Sequence, residues 1–119
     1  FTTFNGGATV TVIDLVRNLD PIYLPSYDQP ANAAAVSLAT TATVIVTTGT
    51  ETATLAAGYE GQIKTFMMKA KVGNMVITAA NPGWTGSGTM TFSAVGQGCT
   101  MQYINSKWYC VGNNGVTFA

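Results

Sequence analysis

The chain predicts an all-β fold: an antiparallel β-sandwich, jelly-roll-like, of about eight short strands, preceded by an extended N-terminal arm. Three observations carry this. From residue 35 onward, short runs rich in Val, Ile, Thr and aromatic residues follow one another, separated by Gly- and Asn-containing turns. Helical periodicity is confined to two short stretches, "LVRNL" and "ANAAA". Three of the four prolines fall within residues 1–32. Residues 1–34 are therefore read as an N-terminal strand plus a Pro-rich arm, and residues 35–119 as the sandwich domain.

The arm comes first. "ATVTVIDLV" alternates through Val10 and Val12 and reads as a strand. In "DPIYLPSYDQP" the prolines forbid a helix interior or a central strand, and an extended, polyproline-like course fits better. Ile22, Tyr23, Leu24 and Tyr27 are too apolar for a solvated linker. An extended segment with such anchors lies on its own domain or on a neighbour. Pro21, Ile22, Tyr23, Leu24, Pro25 and Tyr27 are the expected partner-binding residues.

In the body, "AVSLATTATVIVTT" has strand composition, and "TATLAA" follows a turn at Gly49-Thr50-Glu51. "GYEG" (residues 58–61) is a further turn. In "QIKTFMMKAKV", Phe66, Met68, Ala70 and Val72 share one parity, with Lys69 and Lys71 opposite. Lys64 falls on the apolar side. A bulge near Thr65 would repair the phase, or the strand is buried on both sides at one end. "MVITAA" follows Gly73-Asn74, and "NPGWTGSG" is a loop. "TMTFSA" puts Met90 and Phe92 on one face, with Thr89, Thr91 and Ser93 on the other.

"CTMQYINSKWYCV" reads as a hairpin with Asn105-Ser106 as its two-residue loop, since Asn tolerates positive φ. That register sets Tyr103 against Trp108, Met101 against Cys110 and Cys99 against Gly112. Cys99, Met101, Tyr103, Trp108 and Cys110 form the expected core face. The cysteines are then diagonal neighbours, further apart than a disulfide wants. Two buried free thiols are expected, with a disulfide as the alternative if the loop slips. Zinc needs four ligands, and this chain has two Cys and no His.

Charge narrows the function. Charged residues make up 8% of the 119 residues, against about 25% in ordinary globular domains. Five basic and five acidic residues give no phosphate-neutralising track, so nucleic-acid binding is not expected. No apolar run reaches the roughly 18 residues of a spanning helix, so no membrane partner is expected. Without histidine the Ser-His-Asp and Cys-His arrangements are excluded. Glu51 and Glu60, both in turns, are read as solvated turn acids. No enzyme, metal or cofactor is expected. A surface so poor in charge is one to bury against other subunits. Trp84 and Tyr59, both in Gly-containing loops, are the candidate loop contacts. Trp84 is alternatively a lid on the core.

"TLAAGYEGQIKTF", "MVITAA" and "GTMTFSAVGQGCTMQYINSKWYCVG" resemble a β-rich domain of tailed-bacteriophage virion proteins, of the capsid decoration or head-fibre type, best known from marine and cyanobacterial phages. The matching positions are Leu55, Gly58, Gly61, Gln62, Thr91, Phe92, Val95, Gly96, Lys107 and Trp108, and the resemblance covers about residues 52–112. Ala57 and Tyr59 depart from it, standing where acidic or small polar turn residues are the family's habit. The resemblance implies a structural protein on the particle surface. Its implied partners are itself, with a homotrimer favoured, and other virion proteins such as the major capsid protein. An adhesin-like module binding carbohydrate or a receptor is the alternative.

Overall fold

The computed structural model describes residues 27–119. The described residues contain ten strands and no helix: β1 Tyr27–Asp28, β2 Ala34–Ala35, β3 Ala42–Val46, β4 Glu51–Leu55, β5 Ile63–Ala70, β6 Met75–Ala79, β7 Thr89–Phe92, β8 Gly98–Ile104, β9 Lys107–Asn114 and β10 Thr117–Phe118. They form two mixed five-stranded sheets. The first runs β9-β8-β5-β3-β1 and the second β10-β7-β6-β4-β2.

From β1 to β6 the chain changes sheet at every connection. β1, β3 and β5 pair in parallel in the first sheet. β2, β4 and β6 pair in parallel in the second. Each parallel crossover is made by a strand of the other sheet together with its flanking turns. This gives the long connection that parallel neighbours require. The end is antiparallel: β7 pairs with β6, β8 with β5, β9 with β8, and β10 with β7. The wholly antiparallel, jelly-roll-like pairing is thus corrected for the first half of the described chain. The turns after β3, β4 and β5 lead to the opposite sheet and do not close hairpins.

Two turns show how successive coils stack. The side chain of Thr47 points inward and donates to Gly73 O at 2.6 Å. Its hydroxyl accepts from Val72 N and Gly73 N at 3.1 and 3.3 Å. A Cβ on Gly73 would lie 2.4 Å from the backbone of Gly49, so only glycine allows this approach. "ANAAA" is a turn leading into β2, not a helix: Ala33 has φ 64° and Ala34 and Ala35 pair with β4. "LVRNL" and "ATVTVIDLV" lie outside the described residues.

One core lies between the sheets. Ile45, Phe66, Met68, Met101 and Trp108 enter it from the first sheet, and Leu55, Met75, Ile77, Met90 and Phe92 from the second. Phe66 and Phe92 meet across it with ring centroids 6.2 Å apart. Met90 and Phe92 are fully buried, as the alternation in β7 predicts. The alternation runs unbroken from Gln62, just before β5, through Lys64, Phe66 and Met68. The irregularity opposite Ile45 and Val46 falls between Met68 and Ala70, four residues beyond the expected bulge at Thr65. Lys64 keeps its place on the core side because an acid meets it there.

Candidate functional site

The charged site at the core is built from β1, the loop before β3, β3 itself and β5. The Lys64 side chain is fully buried, and that of Asp28 is 17% exposed. Lys64 Nζ lies 3.1 Å from Asp28 Oδ1 and donates to Thr40 O and Thr40 Oγ1, each at 2.8 Å. An ammonium has three protons, so this shell occupies all of them. Asp28 is as fully engaged. Its Oδ1 accepts from Thr40 Oγ1 and Thr43 Oγ1 at 2.7 Å each, and its Oδ2 accepts from Ser37 N at 2.9 Å. The network ties the first described strand to the centre of its sheet.

Burial alone raises the Asp28 carboxyl. The hydrogen bonds from Ser37, Thr40, Thr43 and Lys64 outweigh it and hold the group below its ordinary value. Burial also pulls the Lys64 ammonium below its ordinary value, against the opposing hydrogen bond and charge of Asp28. A dominant ion pair would raise the lysine. The geometry favours the Asp28 side: four donors converge on the carboxylate, while Lys64 has one charged partner beside the neutral oxygens of Thr40 and Ala42. With no lone pair or open face turned to solvent, Lys64 is a structural cation. Sequence reasoning missed Asp28, Thr40 and Thr43. Its one signal was Lys64 on the apolar parity of β5.

The second constellation centres on Trp108, which is fully buried. Its indole Nε1 donates to Ala56 O at 3.0 Å. Its backbone N donates to Asn81 O, and its O accepts from Gly83 N at 2.7 Å. The Tyr103 ring meets it edge-on at 5.0 Å. Gly58 sits against the indole, where an added Cβ would come within 2.8 Å of the ring. Gln62 completes the corner. It is buried, accepts from Tyr59 N and donates to Leu38 O. Loop 56–62 and Tyr103 of the hairpin therefore pack on the indole, while loop 81–88 is tied to the backbone of the same residue.

Of the expected loop contacts, Tyr59 is 66% exposed. Trp84 packs half-buried on the core, edge-on to Phe118 at 5.0 Å, and its Nε1 donates to Ala119 O at 3.0 Å. Tyr27 is exposed in β1. Pro21, Ile22, Tyr23, Leu24 and Pro25 lie outside the described residues.

The hairpin has the expected loop. Asn105 and Ser106 both have positive φ, 54° and 63°, the pair of values a type I′ turn requires. Glu60 caps it, accepting from Asn105 N and Ser106 N at 2.7 Å each. Lys107 to Cys110 pair as predicted. A bulge between Cys110 and Gly112 then sets Cys99 against Asn113 in place of Gly112. Cys99, Met101, Tyr103 and Trp108 are buried, but Cys110 is exposed. The correction has a geometric cause. β9 is an edge strand, and the strand at the corresponding edge of the second sheet, β10, is only two residues long.

Both thiols are free. Burial, with Cys110 beside it as a smaller cause, pushes the Cys99 thiol up to about 12. One thiol per chain should therefore react promptly with a disulfide reagent near pH 8, and the second only after denaturant is added. Loss of the fast phase in Cys110→Ser checks the assignment. Two fast thiols would contradict it. Among the described residues no cluster of three or more His, Cys, Asp or Glu is placed to hold a metal ion. No described helix is long and apolar enough to cross a membrane. No protein-family model matches the chain, and no curated protein is similar to it.

Proposed function

We propose that the chain is a structural subunit of a virus particle, of the capsid decoration or fibre type, which acts by packing against copies of itself and against other virion proteins such as the major capsid protein. The observation that carries this reading is the use made of the acids. Asp28, Glu51 and Glu60 are the acidic residues of the described chain. Asp28 holds Ser37, Thr40, Thr43 and Lys64, Glu51 accepts from Thr48 N at 2.8 Å, and Glu60 caps the hairpin. Each carboxylate fastens backbone to backbone or strand to strand. Such groups suit a scaffold and leave none poised for acid–base work.

The residues behind the phage-domain resemblance support the same reading. Gly58, Gln62 and Trp108 meet in the corner described above, and Leu55 is buried in the core. They are residues a family would share to keep a shape. A glycan-binding role through Tyr59 and Trp84 has less support, because the Trp84 indole N–H and ring are both engaged within the chain.

An antibody raised against the chain tests the proposal on purified particles from the source of the sequence. Gold label at regular positions on the particle surface is the expected result. Particles without label, with the chain in the soluble fraction, would refute it.

A further inference from the structure

Residues 116–119 lie in a seat formed by the β7 edge and loop 84–89. Thr117 and Phe118 pair antiparallel with Thr91 and Met90, and Ala119 continues the ladder, its N–H donating to Thr89 O at 3.0 Å. Val116 is buried, and Phe118 meets Trp84 edge-on at 5.0 Å. Past Phe118 the donors of the loop converge on one atom. Ala119 O accepts from Gly88 N at 2.9 Å, Thr89 N at 3.1 Å, Trp84 Nε1 at 3.0 Å and Ser87 Oγ at 3.3 Å. Thr89 Oγ1, 3.1 Å from Ser87 Oγ, can donate to it and so leave the serine proton for Ala119 O. The loop is shaped around this group. Gly86 has φ 138°, and a Cβ on it would lie 2.4 Å from Ala119 C, so only glycine allows the approach.

We infer that loop 84–89 is a carboxylate-binding site, whose ligand is an extended peptide that pairs with the β7 edge and stops in a free carboxylate at the position of Ala119. Donor number selects the ligand. A peptide carbonyl has two lone pairs, so four donors on one oxygen exceed what it accepts. A carboxylate offers two oxygens with about four acceptor positions, and hydrogen bonds to it are roughly twice as strong as those to a neutral group. Adjacent backbone N–H groups, here Gly88 and Thr89, form a concavity that suits an anion. Ladder pairing along a sheet edge, closed by capture of the terminal carboxylate, reads both the backbone and its end. The side chains add a preference: apolar at the position of Val116, aromatic at that of Phe118, and small at that of Ala119, where Gly86 closes on the backbone. The chain's own residues 116–119 fill the seat in this structure. This recognition is independent of the particle role proposed above.

The test compares three forms of the 119-residue chain by urea unfolding followed by tryptophan fluorescence. The first carries a free carboxylate at Ala119 and the second a carboxamide there. The third has two glycines added after Ala119, which move the charge out of the loop. Each is made with and without Trp84→Phe, which removes the indole N–H, keeps a ring against Phe118 and leaves Trp108 as the reporter. The free-acid form should have a folding constant about tenfold larger than the other two, the difference between charge-assisted and neutral hydrogen bonds. Trp84→Phe should lower that constant more in the free-acid form than in the carboxamide, because its N–H there loses a charged acceptor. Equal constants for all three forms would overturn the inference and leave a ladder position that any backbone carbonyl fills. A glycine-extended form as stable as the free acid would also overturn it, since the carboxamide then acts by a clash. So would an equal effect of Trp84→Phe in the acid and the amide.

Discussion

Lys64→Ala will lower the stability of the folded chain by about 3 kcal/mol, read from the urea midpoint followed by tryptophan fluorescence. Removing one partner of a buried ion pair costs about 3–5 kcal/mol, because the other charge is left uncompensated. The low end applies because the Asp28 side chain retains 17% exposure and keeps its bonds to Ser37, Thr40 and Thr43. Replacing both partners together, Lys64→Met with Asp28→Leu, should recover part of the loss, since no lone charge then remains. A loss under 1 kcal/mol for Lys64→Ala would show that the pair is dispensable.

The same site sets the pH dependence. The Asp28 carboxyl titrates below its ordinary 3.8 in the folded chain. The unfolded chain therefore binds the proton more tightly. The stabilisation from Asp28 is complete above 3.8 and disappears as the pH falls through the lowered native value. Asp28→Asn should flatten the acid limb of a midpoint-against-pH curve.

Trp108→Ala is expected to cost about 3–5 kcal/mol, the range for emptying a large aromatic site in a core. The upper part of the range applies here. The indole fills the space beside Gly58 and Tyr103, and its N–H satisfies Ala56 O. Loop 56–62 loses its support on the indole, whereas the backbone bonds of Asn81 and Gly83 to residue 108 remain. Trp84 remains as the fluorescent reporter, so the same urea experiment measures the effect. A cost below 2 kcal/mol would mean that the corner repacks around the gap. Trp84→Ala, at a half-buried ring on the edge of the core, should cost less than Trp108→Ala.

Much of the fold was legible in individual residues. Met90 and Phe92 inward with Thr89 and Thr91 outward, and Tyr103 opposite Trp108 across an Asn-Ser turn, follow from alternation and turn chemistry alone. The candidate site was less so. Lys64 announced itself only as a charge out of phase, and Asp28, 36 positions away, gave no sign of being its partner. Cys110 shares the parity of Trp108 yet is exposed, because parity gives a direction and not a cover.

By itself the sequence determined the all-β class, most of the strand faces and the hairpin register from the turn as far as Cys110, since each depends on a residue and its neighbours two or three positions away. Only the tertiary structure decided that β1 to β6 coil between two sheets in parallel, that Lys64 stays inside, and where the sandwich ends. These outcomes depend on which distant strand arrives alongside. A strand's edges accept a parallel or an antiparallel neighbour with similar hydrogen bonds. The choice falls to the turns between sheets and to the side chains, such as Asp28 and Thr47, that meet only after the chain has coiled back on itself.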